Sequence, residues 1–373
     1  MQKKIYLFFL LLYFFNANAL AIEKRDIYIS AEYANKLVGR ENIVFVSADR
    51  ANIYDKSHIK GSVRLDLEDI SSHNTDGVNE CAPLIECIQN AQLRLRSMAI
   101  DNNSYIIIYD STDGVRAIGA YSYLKSFGHK NVKLVQGGKS ALIELDPNQK
   151  IYASIEKKLI DEQNNYEKLA NELSKLEEGD TTKNGLEKIV EQSFNRLQEF
   201  KKRLSIVAVN MKFVKDTSFM DRDVNSGYTI KKDNIDYSLV AGISEIENAV
   251  REIQKSGKNS EYLIIDTRSF EEIIGEKRIN SVLRTGYIPG ALLYDHIRVL
   301  NNNAVMKDKK LLEENFKKYG IDQEKRIYVY SQTGTGRASA VAIALKIVGF
   351  SNVKVYSGGW NEWGNNLNMP IKR

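Results

Sequence analysis

The chain repeats itself. Tyr109-Asp110-Ser111-Thr112-Asp113-Gly114-Val115-Arg116-Ala117 and Tyr330-Ser331-Gln332-Thr333-Gly334-Thr335-Gly336-Arg337-Ala338 stand 221 positions apart. The offset then holds without a gap: Leu124-Lys125 answers to Leu345-Lys346, Gly128 to Gly349, Asn131-Val132-Lys133 to Asn352-Val353-Lys354, and Gly137-Gly138 to Gly358-Gly359. Register kept across an apolar run, a loop, a helical stretch and a second apolar run means one folding unit present twice. A chain of 373 residues is long enough for two domains of ordinary size.

Each copy reads as α/β. In the second, Tyr262 to Asp266, Arg326 to Tyr330 and Val353 to Tyr356 are short apolar runs. Such runs alternating with helical stretches suit parallel strands buried on both faces. Ala338 to Val348 carries the helical pattern between two of them, and Gly349 ends it. Functional groups then belong on the loops at the carboxyl ends of the strands, where Ser331 stands.

Between the copies the periodicity changes. Ile155, Leu159, Tyr166, Leu169, Leu173 and Leu176 form one apolar stripe, and Leu186, Val190, Leu197, Phe200 and Leu204 form another beyond Gly179 to Gly185. This predicts an antiparallel helical hairpin over 151–205. It either packs only on itself or serves as a docking or self-association arm, since an isolated two-helix hairpin gains by burying its stripe elsewhere. The expected layout is 1–21 signal peptide, 22–150 first domain, 151–205 hairpin, 206–236 linker and 237–373 second domain.

The leader follows from Lys3-Lys4, an apolar run from Ile5 to Phe15, and Asn16-Ala17-Asn18-Ala19-Leu20-Ala21. That is the pattern of a cleavable secretory signal. The alternative is a short uncleaved anchor, but the run falls short of the roughly 20 residues that span a bilayer. A periplasmic or secreted location is expected, with no stable membrane anchor. The formal charge is +5, and charges of both signs are interleaved, which does not argue for nucleic acid. The two cysteines, Cys81 and Cys87, suit a disulfide in an oxidising compartment. Six residues along a helix would separate them by about 9 Å, so a bond requires a loop, which Pro83 permits. The alternative is a redox or thiol-relay pair.

After Tyr330 the run Ser331-Gln332-Thr333-Gly334-Thr335-Gly336-Arg337 precedes a helix. Glycines let successive N–H groups turn inward, and the helix start adds positive charge, so such a loop cradles an oxyanion. An ordinary strand-to-helix turn has the same residues, and context decides. Leu263-Ile264-Ile265-Asp266-Thr267-Arg268, Gly286-Tyr287-Ile288-Pro289-Gly290-Ala291, the loop itself and Tyr356-Ser357-Gly358-Gly359-Trp360-Asn361-Glu362-Trp363 together resemble the rhodanese superfamily, specifically tandem thiosulfate or mercaptopyruvate sulfurtransferases. In the first copy His58-Ile59-Lys60-Gly61-Ser62 and Gly137-Gly138-Lys139 are eroded versions of the same signatures. The resemblance implies two rhodanese-like α/β domains, each a parallel sheet flanked by helices, with the hairpin inserted between them.

The resemblance also implies a persulfide-forming cysteine at position 331, where this chain has serine, and an inactive first copy with aspartate, which Asp110 fits. A hydroxyl is far less acidic than a thiol and offers no comparable persulfide chemistry. Ser331 to Arg337 is also one residue longer than the sulfurtransferase loop and resembles that of the related cell-cycle phosphatases and arsenate reductases, whose pocket fits a tetrahedral oxyanion. Asp266 and Arg268 are expected to buttress the loop. Arg278 and Arg284 lie where relatives place substrate-anion arginines, or are surface charges. Trp360 and Trp363 belong to the core. A serine mechanism would need a base, for which His296 is the candidate nearest a signature. No metal or cofactor is expected. The partners expected are a small oxyanion such as thiosulfate, sulfate or phosphate, and a protein partner or second copy at the hairpin. The rival expectation is a sulfurtransferase active by an unrecognised route.

Overall fold

The computed structural model describes residues 24–70, 72–73, 79–85, 87–111, 114–214, 226–277, 282–301 and 305–373. The expected signal peptide and Arg278 lie outside them. The first domain holds a five-stranded sheet of Tyr28–Ile29 (β1), Ile43–Ser47 (β2), Val63–Arg64 (β3), Tyr105–Tyr109 (β4) and Val132–Val135 (β5), in spatial order β1-β5-β4-β2-β3. In the second domain Val240–Ala241 (β6), Tyr262–Asp266 (β7), Leu292–Leu293 (β8), Arg326–Tyr330 (β9) and Val353–Tyr356 (β10) repeat that order as β6-β10-β9-β7-β8. Every pairing in both sheets is parallel. The central strands are apolar on both faces because helices cover both: Ile106, Ile107, Ile108 and Tyr109 are all fully buried.

The crossover helices that follow the two central strands, Val115–Ser126 (α1) and Gly336–Val348 (α4, counting the hairpin helices given next), pack on each other across the domain boundary. They approach closely enough that a Cβ at Gly119 would stand 2.9 Å from the Gly336 nitrogen. One apolar core therefore runs through both domains, joining Val46, Ile106 and Ile118 to Val329, Val341 and Leu345. Helix α4 is apolar on every side, and of its residues only Arg337 and Lys346 are not buried.

The hairpin helices are Pro147–Leu173 (α2) and Lys183–Asn210 (α3), starting earlier and ending later than the expected 151–205. Asp146 caps α2 by accepting from Asn148 N–H, with Pro147 at the first turn. The two helices pack along each other. Leu197 and Leu204 are buried, Tyr166 meets Phe194 ring to ring, and Glu162 accepts from Ser193 (2.6 Å) and Arg196 (2.9 Å). Ile160, Ile189 and Phe194 remain largely exposed.

The segment expected as a linker is not a loose tether where it is described. Phe213–Val214 pairs antiparallel with His58–Ile59. Ser226 donates to Ile100 O (2.5 Å), Thr229 N–H to Asn102 Oδ1 (2.9 Å) and Ile230 N–H to Gln92 Oε1 (2.9 Å), while Tyr228 is buried against the first domain.

Candidate functional site

Ser331 follows the last residue of β9, at the carboxyl edge of the second sheet, and is buried. The loop is held by its neighbour turn. Trp360 N–H donates to Ser331 O (2.8 Å), Asn361 N–H to Gln332 O (2.9 Å), and the Gln332 amide donates to Asn361 Oδ1. This contact needs glycine on both sides: a Cβ at Gly359 (φ +58°) would stand 2.7 Å from Ser331 O, and one at Gly334 (φ +59°) 2.1 Å from Ser357 O. Thr333 and Thr335 hydroxyls are 3.2 Å apart. Among the described residues, the backbone N–H groups of Gln332, Thr333, Gly334 and Thr335 donate to no protein acceptor, and α4 begins at Gly336 with its positive end toward the loop. The loop is a cradle of unspent donors.

Beneath the loop lies a buried ion pair. Asp266 accepts from Arg268 Nη2 (2.6 Å) and Nε (3.0 Å), and from the Tyr330 hydroxyl (2.6 Å). Arg268 also donates to Gly286 O (2.7 Å), and its guanidinium lies 4.4 Å from the Trp360 ring centroid. Burial, then the neighbouring Asp266 carboxylate, pushes the Tyr330 phenol well above its ordinary pKa. The pair is thus a rigid strut, with the Tyr330 hydroxyl also accepting from Ile288 N–H (3.1 Å).

The Arg337 guanidinium is engaged by a carboxylate. It forms a two-pronged pair with Glu272, Nη2 to Oε1 at 2.9 Å and Nη1 to Oε2. Burial would raise the Glu272 carboxyl, but Arg337 overrides it and holds the pKa down at about 2. Glu272 also completes a capping box with Ser269, a Ser-x-x-Glu pattern visible in the sequence and not used in reading it. Arg284, expected to be either a substrate-anion contact or a surface charge, turns to the C-terminal backbone. Its guanidinium donates to the carbonyls of Trp363, Gly364, Asn366 and Met369, which spends most of its five N–H donors on the C-terminal segment. Trp360 and Trp363 are fully buried. His296 Nδ1 stands 2.9 Å from the carboxylate of its neighbour Asp295.

The equivalent loop of the first domain, where it is described, keeps two of the same tethers and has a different filling. Lys139 N–H donates to Asp110 O (2.9 Å), as Trp360 does to Ser331, and the Tyr109 hydroxyl accepts from Ile59 N–H (3.0 Å), as Tyr330 does from Ile288. Here, however, the Asp110 carboxylate turns back into its own loop, accepting from Gly114 N–H (3.1 Å) and Ala117 N–H (2.9 Å). Asp49 seals the outside through Ser111 N–H (2.8 Å) and Oγ (2.6 Å). Arg116 is anchored by Asp66 (2.6 Å) and Glu68 (3.0 Å), the counterpart of Arg337 with Glu272.

The segment between the two cysteines reaches the second domain at Ser357, which the sequence did not show. Cys87 is disulfide-bonded, and Cys81 is the one other cysteine in the chain. Within the segment they bracket, Leu84 N–H donates to Ser357 Oγ (2.9 Å) and Leu84 O accepts from the same hydroxyl (3.2 Å), across the domain boundary. Among the described residues no cluster of His, Cys, Asp and Glu could hold a metal ion, and no helix is long and apolar enough to cross a membrane.

Duplicated five-stranded parallel sheets with an anion cradle after the central strand define a class, and comparison supplies its name. Residues 30–144 and 249–366 each match the rhodanese-like domain, so the chain belongs to the rhodanese family with two such domains in tandem. It is 22% identical over 360 residues to a candidate thiosulfate sulfurtransferase of Saccharopolyspora erythraea, covering 94% of this chain and 98% of that one. It is 24% identical over 354 residues to one of Mycobacterium tuberculosis, covering 93% and 98%. In fold it is similar to the anaerobic ergothioneine biosynthesis enzyme of Chlorobium limicola (TM-score 0.62, 16% identity, 94% of this chain and 71% of that one). It is also similar to the 3-mercaptopyruvate sulfotransferase of Escherichia coli (TM-score 0.58, 17% identity, 89% and 98%).

Proposed function

We propose that this protein is an exported rhodanese-family member that binds a small oxyanion in the loop 331–337 and has given up persulfide chemistry. The observation that carries the reading is the loop itself: a row of unspent N–H donors at a helix start, with a hydroxyl at the position where sulfur would be carried. An anion there gains charge-assisted hydrogen bonds, whereas a serine oxygen has no route to a persulfide. Thiosulfate, sulfate and phosphate are the anions this reading proposes for the loop. The test is the melting temperature of the purified protein in each anion, against chloride at equal ionic strength. Binding raises it by mass action, through a stabilisation of about 2.7 kcal/mol when the anion is at a hundred times its Kd. A melting temperature that does not move in any of the three rejects the pocket.

The names of the relatives support a second reading, sulfur transfer through a different thiol. One observation favours it: the cysteine-bracketed segment touches Ser357, beside the turn that holds the Ser331 loop. Activity that appears only with reductant, and disappears in Cys87→Ser, is its signature. Export rests on the charged and apolar start of the chain and is tested by a reporter fusion to residues 1–30. Exposed Ile160, Ile189 and Phe194 support docking or self-association at the hairpin, read as a mass by light scattering before and after their replacement by serine.

A further inference from the structure

Helix α4 departs from its apolar pattern at Lys346, and the repeat places Lys125 at the matching point of α1. Because the two helices pack on each other, both lysines line one cavity of about 150 Å³ between the domains. Its walls are apolar: Ile27, Leu239, Ile343 and Val355, with Leu84 of the cysteine-bracketed segment. Into it opens Ser339, only 1% exposed, whose Oγ has no hydrogen-bond partner among the described residues. A buried hydroxyl left unpaired is costly, and such a group in a native protein points to a missing partner. The Lys125 ammonium donates to Lys130 O (3.2 Å), and Lys346 makes no hydrogen bond to a described residue. Asp236 supplies one countercharge while its Oδ1 accepts from Ser238 N–H (3.0 Å) and Oγ. The lining therefore carries two cations and one anion.

That combination selects a ligand class. A cavity of roughly 150 Å³ accommodates a group the size of benzene, and apolar walls disfavour a small, fully hydrated anion such as sulfate. We propose that this cavity is a second binding site, separate from the loop 331–337, for a small amphipathic monocarboxylate. Its ring or short chain lies between α4 and the β10 wall, and its carboxylate accepts from Lys346, Lys125 and the Ser339 hydroxyl. Burial presses the pKa of both lysines below the ordinary value, with Asp236 opposing, a strain that a bound carboxylate relieves.

The test titrates the purified protein with benzoate by calorimetry, in the presence of saturating sulfate to occupy the loop. One saturable site per chain is expected, unchanged by sulfate, with neutral benzamide at least about tenfold weaker, the loss of one charge-assisted contact. Lys346→Met should weaken benzoate by about the same factor, and Ser339→Leu, which fills the cavity, should abolish it. If Ser339→Leu does not fold, benzamide and Lys346→Met still decide the matter. Absence of saturable benzoate binding overturns the proposal. So does equal affinity for benzamide, which would make the cavity merely apolar, and so does displacement of benzoate by sulfate, which would place it in the loop.

Discussion

In the first domain the loop after Tyr109 closes on its own carboxylate, Asp110 accepting from Gly114 and Ala117. In the second, the loop after Tyr330 offers a hydroxyl instead, and its N–H groups stay unspent. The tethers are nevertheless the same to within 0.1 Å: Lys139 to Asp110 O at 2.9 Å, Trp360 to Ser331 O at 2.8 Å. That tether thus persists whichever side chain begins the loop. What varies is what neutralises the helix start, an internal anion in one copy and, in our reading, an external one in the other. Kinship of fold therefore does not decide whether either copy performs chemistry.

The comparison breaks most visibly at Asp110. Asp110→Ala leaves two buried N–H groups without their charged acceptor, a loss of about 2–3 kcal/mol, or roughly 5–10 °C in melting temperature for a domain of this size. Added sulfate should recover part of it by taking the carboxylate's place. A variant as stable as the parent and indifferent to sulfate would show that the carboxylate is not standing in for an anion.

Installing the first domain's solution in the second sharpens the same point. Ser331→Asp should abolish the sulfate-dependent rise in melting temperature and stabilise the anion-free protein by about 1 kcal/mol. If sulfate still raises its melting temperature, the anion binds elsewhere. The smallest expected effect concerns the loop's outer anchor. Glu272 titrates lower in the folded protein than its ordinary carboxylate value, so its contribution is present above that value. It is lost as the pH falls from about 4.5 toward 2. Urea unfolding midpoints of the parent should therefore decline through that window more steeply than those of Glu272→Gln. Parallel declines would mean that the pair with Arg337 does not hold the loop.

Much of this architecture was legible because parallel strands and their crossover helix write a strong local pattern. Tyr262–Asp266, Arg326–Tyr330 and Val353–Tyr356 were read at their observed bounds, and Gly349 ends α4 with a left-handed cap. The position of Ser331 followed from the same pattern, whereas the buttressing expected of Asp266 and Arg268 came from the family resemblance. What escaped depended on long-range geometry. Glu272 reaches Arg337 from 65 positions away, and Leu84 meets Ser357 from 273. Arg284 looked like a free cation because nothing local reveals that its partners are carbonyls of residues 363–369. The anion mimicry of Asp110 was likewise hidden, since a side chain's turn into its own loop is a matter of rotamer rather than of spacing.

In our reading, the serine at position 331 is what withholds sulfur transfer from this scaffold. The most direct test is cyanide-dependent transfer from thiosulfate and from 3-mercaptopyruvate, comparing the purified protein with Ser331→Cys. We predict turnover in the cysteine variant and none in the parent. Turnover by the serine form itself would contradict the account and send the search for a nucleophile to Cys81 and Cys87.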